Sequence, residues 1–129
     1  MIEAKNKSLS KDKDELLKYF NNNLLIEAEK KAKECIKKYP KEFIIYNILG
    51  VCLALQKKFE ESILNFKKSI EIKPDFFEGY YNLANTYSDL GKFEQSIIFY
   101  KKVLHFKPDY AEAYNNFGNA LLETNKVDE

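Results

Sequence analysis

Two sets of four residues can do chemistry of a non-covalent kind. Glu78, Asn82, Asn85 and Asp89 are spaced 4, 3 and 4 apart, and Glu112, Asn116, Asn119 and Glu123 repeat the pattern 34 residues later. That spacing stacks the side chains along one side of a helix. An asparagine amide both donates and accepts, so it can pair with the N–H and C=O of an extended peptide whatever the peptide's own side chains. The four carboxylates favour Lys or Arg nearby. A third set at the same positions, Ile44, Ile48, Val51 and Leu55, is aliphatic and suits one or two apolar side chains. Together these residues are the candidate peptide-binding set. Two plainer readings stay open: Asn and Glu as solvated helix residues, and an aliphatic stripe covered by the N-terminal segment or a neighbouring molecule.

Covalent chemistry finds no support. His105 is the only histidine, late in a helix and beside Lys107, and no Ser or Cys nucleophile pattern accompanies it. Cys35 and Cys52 have no nearby histidine, so they read as buried thiols and not as a zinc site. No Gly-rich phosphate loop is present. The expectation is a non-enzyme with no catalytic residue, no metal and no cofactor.

The chain that must position these groups has 129 residues, 45% hydrophobic and 32% charged, which suits a folded domain and not a disordered one. With 21 basic and 20 acidic side chains the net charge is +1, so there is no overall pull toward nucleic acid or an anionic membrane. Lys67-Lys68 and Lys101-Lys102, with Lys30, Lys31, Lys33, Lys37 and Lys38, read as a solvated outer face, since Glu60, Glu61, Glu71 and Glu94 are interspersed. No apolar run approaches the ~18 residues of a membrane span. Met1 to Asp14 is polar and Lys-rich, without the apolar stretch of a secretory signal. Two cysteines are too few for a disulfide scaffold. A cytoplasmic location is expected.

The main signal is a repeat. The three prolines stand at 40, 74 and 108, two steps of 34. Setting 43–76 against 77–110 gives thirteen identities, among them Phe43/Phe77, Tyr46/Tyr80, Leu49/Leu83, Ser62/Ser96, Ile63/Ile97 and Pro74/Pro108. Residue usage alone would give roughly two or three. Each unit reads as two helices. Tyr80, Leu83, Ala84 and Tyr87 recur at i, i+3, i+4 and i+7, Gly91 breaks the pattern, and Phe93, Ile97, Tyr100 and Leu104 form a second stripe that Pro108 stops. Neither helix hides its stripe alone, so the units must stack. The spacing predicts helices over 11–21, 24–38, 42–55, 59–72, 76–89, 93–106 and 110–124.

The pattern Tyr46-x2-Leu49-Gly50-x2-Leu53…Ser62-x3-Phe66…Pro74, repeated from Tyr80 to Pro108, resembles the tetratricopeptide repeat. The resemblance implies an all-α, right-handed superhelical solenoid of helix-turn-helix repeats, about seven helices, with the first helix of each pair lining the concave side. It places Gly50 and Ala84 at close helix crossings, and Tyr46 and Tyr80 where the family often has Trp. On this reading 1–8 is a flexible tail, 9–42 a divergent first repeat, 43–76 and 77–110 the second and third. The stretch 111–129 is a capping helix or partial fourth repeat, whose face bearing Tyr114, Phe117 and Leu121 is too apolar to be left wholly in water. The Asn82 and Asn116 positions are similar to the asparagine ladder of O-GlcNAc transferases, which grips bound polypeptide. The carboxylate clamp of co-chaperone repeats is not matched: its positions hold Lys13, Leu17, Ile48, Glu78 and Asn82, and only the lysine fits.

The function expected from this is a protein–protein interaction scaffold that binds an extended peptide in its concave groove. The partner is another protein or peptide, with no nucleic acid and no membrane span. The alternatives are a self-assembling unit that forms homo-oligomers through the C-terminal helix and groove, and a targeting fragment of a larger enzyme.

Overall fold

The computed structural model describes residues 1–128, with side chains through Lys126; Glu129, the end of the 111–129 unit, lies outside the described residues. Those residues form seven α-helices and no strand: α1 (Ile2–Asn21), α2 (Leu25–Lys38), α3 (Phe43–Leu55), α4 (Phe59–Ile72), α5 (Phe77–Asp89), α6 (Phe93–Phe106) and α7 (Ala111–Asp128). The first expected boundary needs correction. Helix α1 starts at Ile2 and not near 11, and the segment expected to be a tail is helical. No glycine or proline precedes Pro40, so nothing stops the helix from extending. It is also held in place, because Leu9 packs on the core and the Ser8 and Tyr39 hydroxyls share a hydrogen bond at 2.7 Å.

The chain forms two compact units, Met1–Ile72 and Lys73 onward. In the first, α1 packs on α2, α2 on α3 and α3 on α4. Its core joins Leu16, Ala28, Ala32, Ile45, Leu49 and Leu53, with Cys35 and Cys52 buried among them. Helices α3 and α4 approach closely at Gly50. A Cβ on Gly50 would stand 2.5 Å from Phe66 Cε1, so only glycine fits. The Ser62 hydroxyl donates to the Gly50 carbonyl at 2.8 Å, and the Ser69 hydroxyl to the Phe43 carbonyl at 2.8 Å. These bonds satisfy buried hydroxyls whose burial would otherwise cost free energy.

In the second unit α6 packs on both α5 and α7. Aromatic rings carry much of that packing: Tyr87 stacks on Phe99 at 5.6 Å and Tyr80 on Phe106 at 5.7 Å. Tyr80 donates its hydroxyl to the Pro74 carbonyl at 2.9 Å, and Tyr46 does the same to Pro40 in the first unit. The tyrosines therefore do more than replace another large ring, since each ties a helix to the carbonyl six residues upstream.

The turns inside the helix pairs share one device. Asn23, Lys57 and Gly91, successively 34 residues apart, all have left-handed backbone, with φ of 59°, 63° and 75°. Each is followed by an N–H reaching back to a helix carbonyl: Leu24 to Tyr19 (2.9 Å), Lys58 to Leu53 (2.9 Å) and Lys92 to Tyr87 (2.8 Å). This is the Schellman closure, which satisfies carbonyls that a helix end leaves unpaired.

Candidate functional site

Most of the predicted polar rows meet within the second unit. Asn85 and Asp89 of α5 and Asn116, Asn119 and Glu123 of α7 line one cleft of about 400 Å³. Ser88 joins them from α5, Ala120 from α7, and Phe93 and Tyr100 from α6. Helix periodicity brings the α5 and α7 residues to facing sides. The small Ala84 and Ala120 pack with Tyr100, which sits beneath them at 1% exposure.

The floor of the cleft is a closed hydrogen-bond network. Tyr100 donates its hydroxyl to the Asn85 amide oxygen. Burial pushes the Tyr100 phenol above its usual range, so it stays a donor at neutral pH. Asn116 Nδ2 donates to the same Asn85 oxygen at 3.1 Å and to the Tyr81 hydroxyl at 3.0 Å. Both N–H groups of Asn116 are thereby engaged inside the domain. The free donor-and-acceptor amide expected at Asn116 is thus reduced, for a ligand, to its oxygen. Asn119 is exposed on the cleft wall. Asp89 is exposed and forms no salt bridge among the described residues, while Glu123 pairs with Lys126 at 3.1 Å.

The remaining predicted residues lie elsewhere. Glu78 and Asn82 are half-buried on α5 and do not line the cleft; the Asn82 backbone carbonyl accepts the Thr86 hydroxyl at 2.8 Å. Glu112 is exposed, with the Tyr110 hydroxyl directed at its carboxylate at 3.5 Å. In the first unit, Ile48 is 8% exposed within the core and Ile44 packs against that core. Val51 is half-buried, and Leu55, at 58%, is the one exposed member of the aliphatic set. Helix α3 is packed by α2 and by α4, so its apolar residues are drawn inward on more than one face.

Four lining residues were not singled out as site residues from the sequence, Ser88, Phe93, Tyr100 and Ala120, and neither was Tyr81, which accepts the hydrogen bond from Asn116. Ser88 was accessible to spacing, since it follows Asn85 by three and so shares its helix face. The other groups with chemistry available to them are occupied structurally. Cys35 and Cys52 are buried, and burial raises both thiols, Cys52 to about 11, which makes them poor nucleophiles. His105 is exposed, with Phe106 edge-on at 5.0 Å. Lys31 pairs with Asp12 (3.0 Å) and Glu15 (3.1 Å), Lys33 with Glu29 (2.9 Å), and Lys13 with Glu42 (3.0 Å). Among the described residues no cluster of three His, Cys, Asp or Glu is placed to hold a metal, and no helix is long and apolar enough to cross a membrane.

Residues 50–91 match a family model described as TPR repeat, and residues 77–110 match the tetratricopeptide repeat itself. The chain is a tetratricopeptide repeat domain protein. Solved structures share this all-α helical-repeat solenoid fold. The first TPR domain of Spaghetti (RPAP3), bound to the HSP90 peptide SRMEEVD, is 17% identical, with 95% of each chain covered and a TM-score of 0.87. MamA is 25% identical over 98% of this chain and 78% of that one, with a TM-score of 0.83. An O-GlcNAc transferase from Thermobaculum terrenum is 16% identical over 91% of this chain but only 22% of its own, with a TM-score of 0.84. No curated protein matches the sequence. The cleft lies between α5 and α7, with Phe93 and Tyr100 of α6 in its lining.

Proposed function

We propose that this tetratricopeptide domain is an interaction module that binds an extended polypeptide along α5 and α7. The observation that carries this reading is the convergence of Asn85, Asn116, Asn119, Asp89 and Glu123 on one cleft. The inner amides are locked by Tyr81 and Tyr100, so the site is preorganised and loses little side-chain entropy on binding. Asn119 supplies an amide at the surface that can pair with a peptide backbone, each such bond contributing roughly 0.5–1.5 kcal/mol. The likeness to RPAP3, at 17% identity, carries the fold alone. Its ligand SRMEEVD ends in acidic residues, whereas the carboxylates of this cleft favour a basic partner. The test is a peptide-library screen on the wild type beside Asn82→Ala/Asn116→Ala and Asn119→Ala. Selected peptides lost in both variants support the site; binding indifferent to both overturns it.

A second reading has its own observation. On α7, Tyr114, Leu121 and Leu122 are 54%, 40% and 60% exposed, and apart from the adjoining helix backbone and chain neighbours nothing described comes within 4 Å of a Cβ placed on Gly118. These residues share one exposed apolar face of α7, which suits self-assembly. Sedimentation that shows a monomer at every concentration removes this reading.

A further inference from the structure

The charge and shape of the α5–α7 cleft define what one position of the ligand must be. Its lining includes two carboxylates, Asp89 on α5 and Glu123 on α7, and no lysine, arginine or histidine. Lys126 pairs with Glu123 from the exposed surface of the next helical turn. Asp89 has no such partner among the described residues. Between the carboxylates the wall is not merely acidic. It offers the Asn119 amide, the Ser88 hydroxyl and the ring of Phe93.

We infer that this cleft is the subsite for an arginine side chain of the bound polypeptide, an inference that rests on the peptide-binding reading above. A guanidinium carries five N–H donors in a plane and no acceptor. It can bridge carboxylates on two facing helices, donate to the amide oxygen of Asn119 and lay its face on an aromatic ring. A lysine ammonium can meet one carboxylate well but has no flat face to stack. The volume, about 400 Å³, is near the low end of ligand clefts, roughly 300–1,000 Å³, and fits one long side chain with its flanking backbone. The Tyr100–Asn85–Asn116 floor keeps its own polar groups paired, so the arginine need satisfy only the cleft wall.

The experiment is an NMR titration of the isotope-labelled chain with three acetylated, amidated pentapeptides, alanine except for a central arginine, lysine or citrulline. Citrulline keeps the shape of arginine and removes its charge. The expected result is saturable shifts at Ser88, Asp89, Asn119 and Glu123, with arginine binding about tenfold tighter than citrulline and several-fold tighter than lysine. Asp89→Asn/Glu123→Gln should bring the arginine peptide down to the citrulline level and leave the spectrum elsewhere unchanged. Equal affinity for all three peptides, or an arginine preference that survives the double substitution, overturns the subsite. If the citrulline peptide binds as well as arginine and Asn119→Ala abolishes both, the groove holds peptide and only the arginine assignment falls. If no peptide shifts any resonance at millimolar concentration, both readings fall together.

Discussion

Asn116 Nδ2 stands 3.1 Å from the amide oxygen of Asn85, joining α7 to α5 across 31 positions of sequence. The contact makes the cleft floor a structural element as well as a recognition surface. An amide that already donates twice within the domain cannot turn to follow a ligand. The floor therefore fixes the site, and the exposed Asn119, Asp89 and the half-buried Glu123 on the wall meet whatever binds.

This division predicts that two asparagines of the same row respond differently. Asn119→Ala should leave the unfolding midpoint within about 0.5 kcal/mol of wild type, as for exposed helix residues, while weakening peptide binding. Asn116→Ala should weaken binding and also cost roughly 1–2 kcal/mol of stability, because it deprives Tyr81 and Asn85 of a partner. Urea denaturation and peptide titration on the same two proteins separate these outcomes. Equal stability losses would dissolve the distinction between floor and wall.

Acid should weaken the first unit in a defined window. Burial by itself would raise the Glu29 carboxyl, but Lys33, Gln56 and Lys58 outweigh it and hold the group at about 2, against an ordinary 4.5. A hydrogen bond from Lys31 lowers Asp12; burial opposes this, and Tyr39 reinforces it. A depressed folded-state value means that below about pH 4.5 the unfolded chain takes up protons the folded chain does not. Stability is therefore full near neutrality and falls as pH drops from about 5 toward 2, Glu29 contributing roughly 1–3 kcal/mol of that loss. Glu29→Gln should flatten the slope of urea midpoint against pH in this window, and an unchanged slope would show that Glu29 is not its source.

The periodic parts of this architecture were legible in the sequence, and the unrepeated parts were not. Six of the seven helices begin within a residue of the positions set by the prolines and the apolar stripes. Helix α1 extends nine residues further back than expected because its early turns carry no stripe to read and are held by single contacts, Ser8 to Tyr39 and Leu9 to the core. The site divides in the same way. The Asn and acid rows recur at 34 and were visible, whereas the floor depends on departures from the repeat. Tyr100 stands where the previous unit has Phe66, so its hydroxyl has no counterpart there, and Tyr81 stands between Asn47 and Asn115. The aliphatic stripe failed as a guide to exposure because spacing gives a helix face, not the number of neighbours that cover it.

Two glycines at equivalent repeat positions should respond oppositely to a methyl group. At Gly50 a Cβ would lie 2.5 Å from the Phe66 ring, which is 1% exposed and has no room to move. Gly50→Ala should cost about 1–3 kcal/mol, the range for overpacking a filled core. At Gly118 nothing described beyond the adjoining helix backbone and chain neighbours lies within 4 Å, so Gly118→Ala gains helix propensity alone, about 0.5–1 kcal/mol. Thermal unfolding of the two variants reads both signs. A destabilised Gly118→Ala would mean that another molecule packs on α7 in solution.

The last prediction concerns the left-handed turn residues. Lys57 adopts φ of 63° with a Cβ, at a position where the next unit has Gly91 at 75°. A left-handed L-residue costs roughly 1–2 kcal/mol, which glycine avoids. Part of that gain is offset because glycine has more freedom to lose on folding, by roughly 0.4–1 kcal/mol. Lys57→Gly should therefore stabilise the domain by about 0.5 kcal/mol, the difference of those two effects. Gly91→Ala should destabilise it by about 0.5 kcal/mol, the same two effects with the sign reversed, since nothing packs near its Cβ position. Chemical denaturation of the single variants and of the pair decides this. The two changes should add, because each acts on its own turn. A destabilising Lys57→Gly would mean that the lysine side chain contributes more to the α3–α4 turn than its backbone costs.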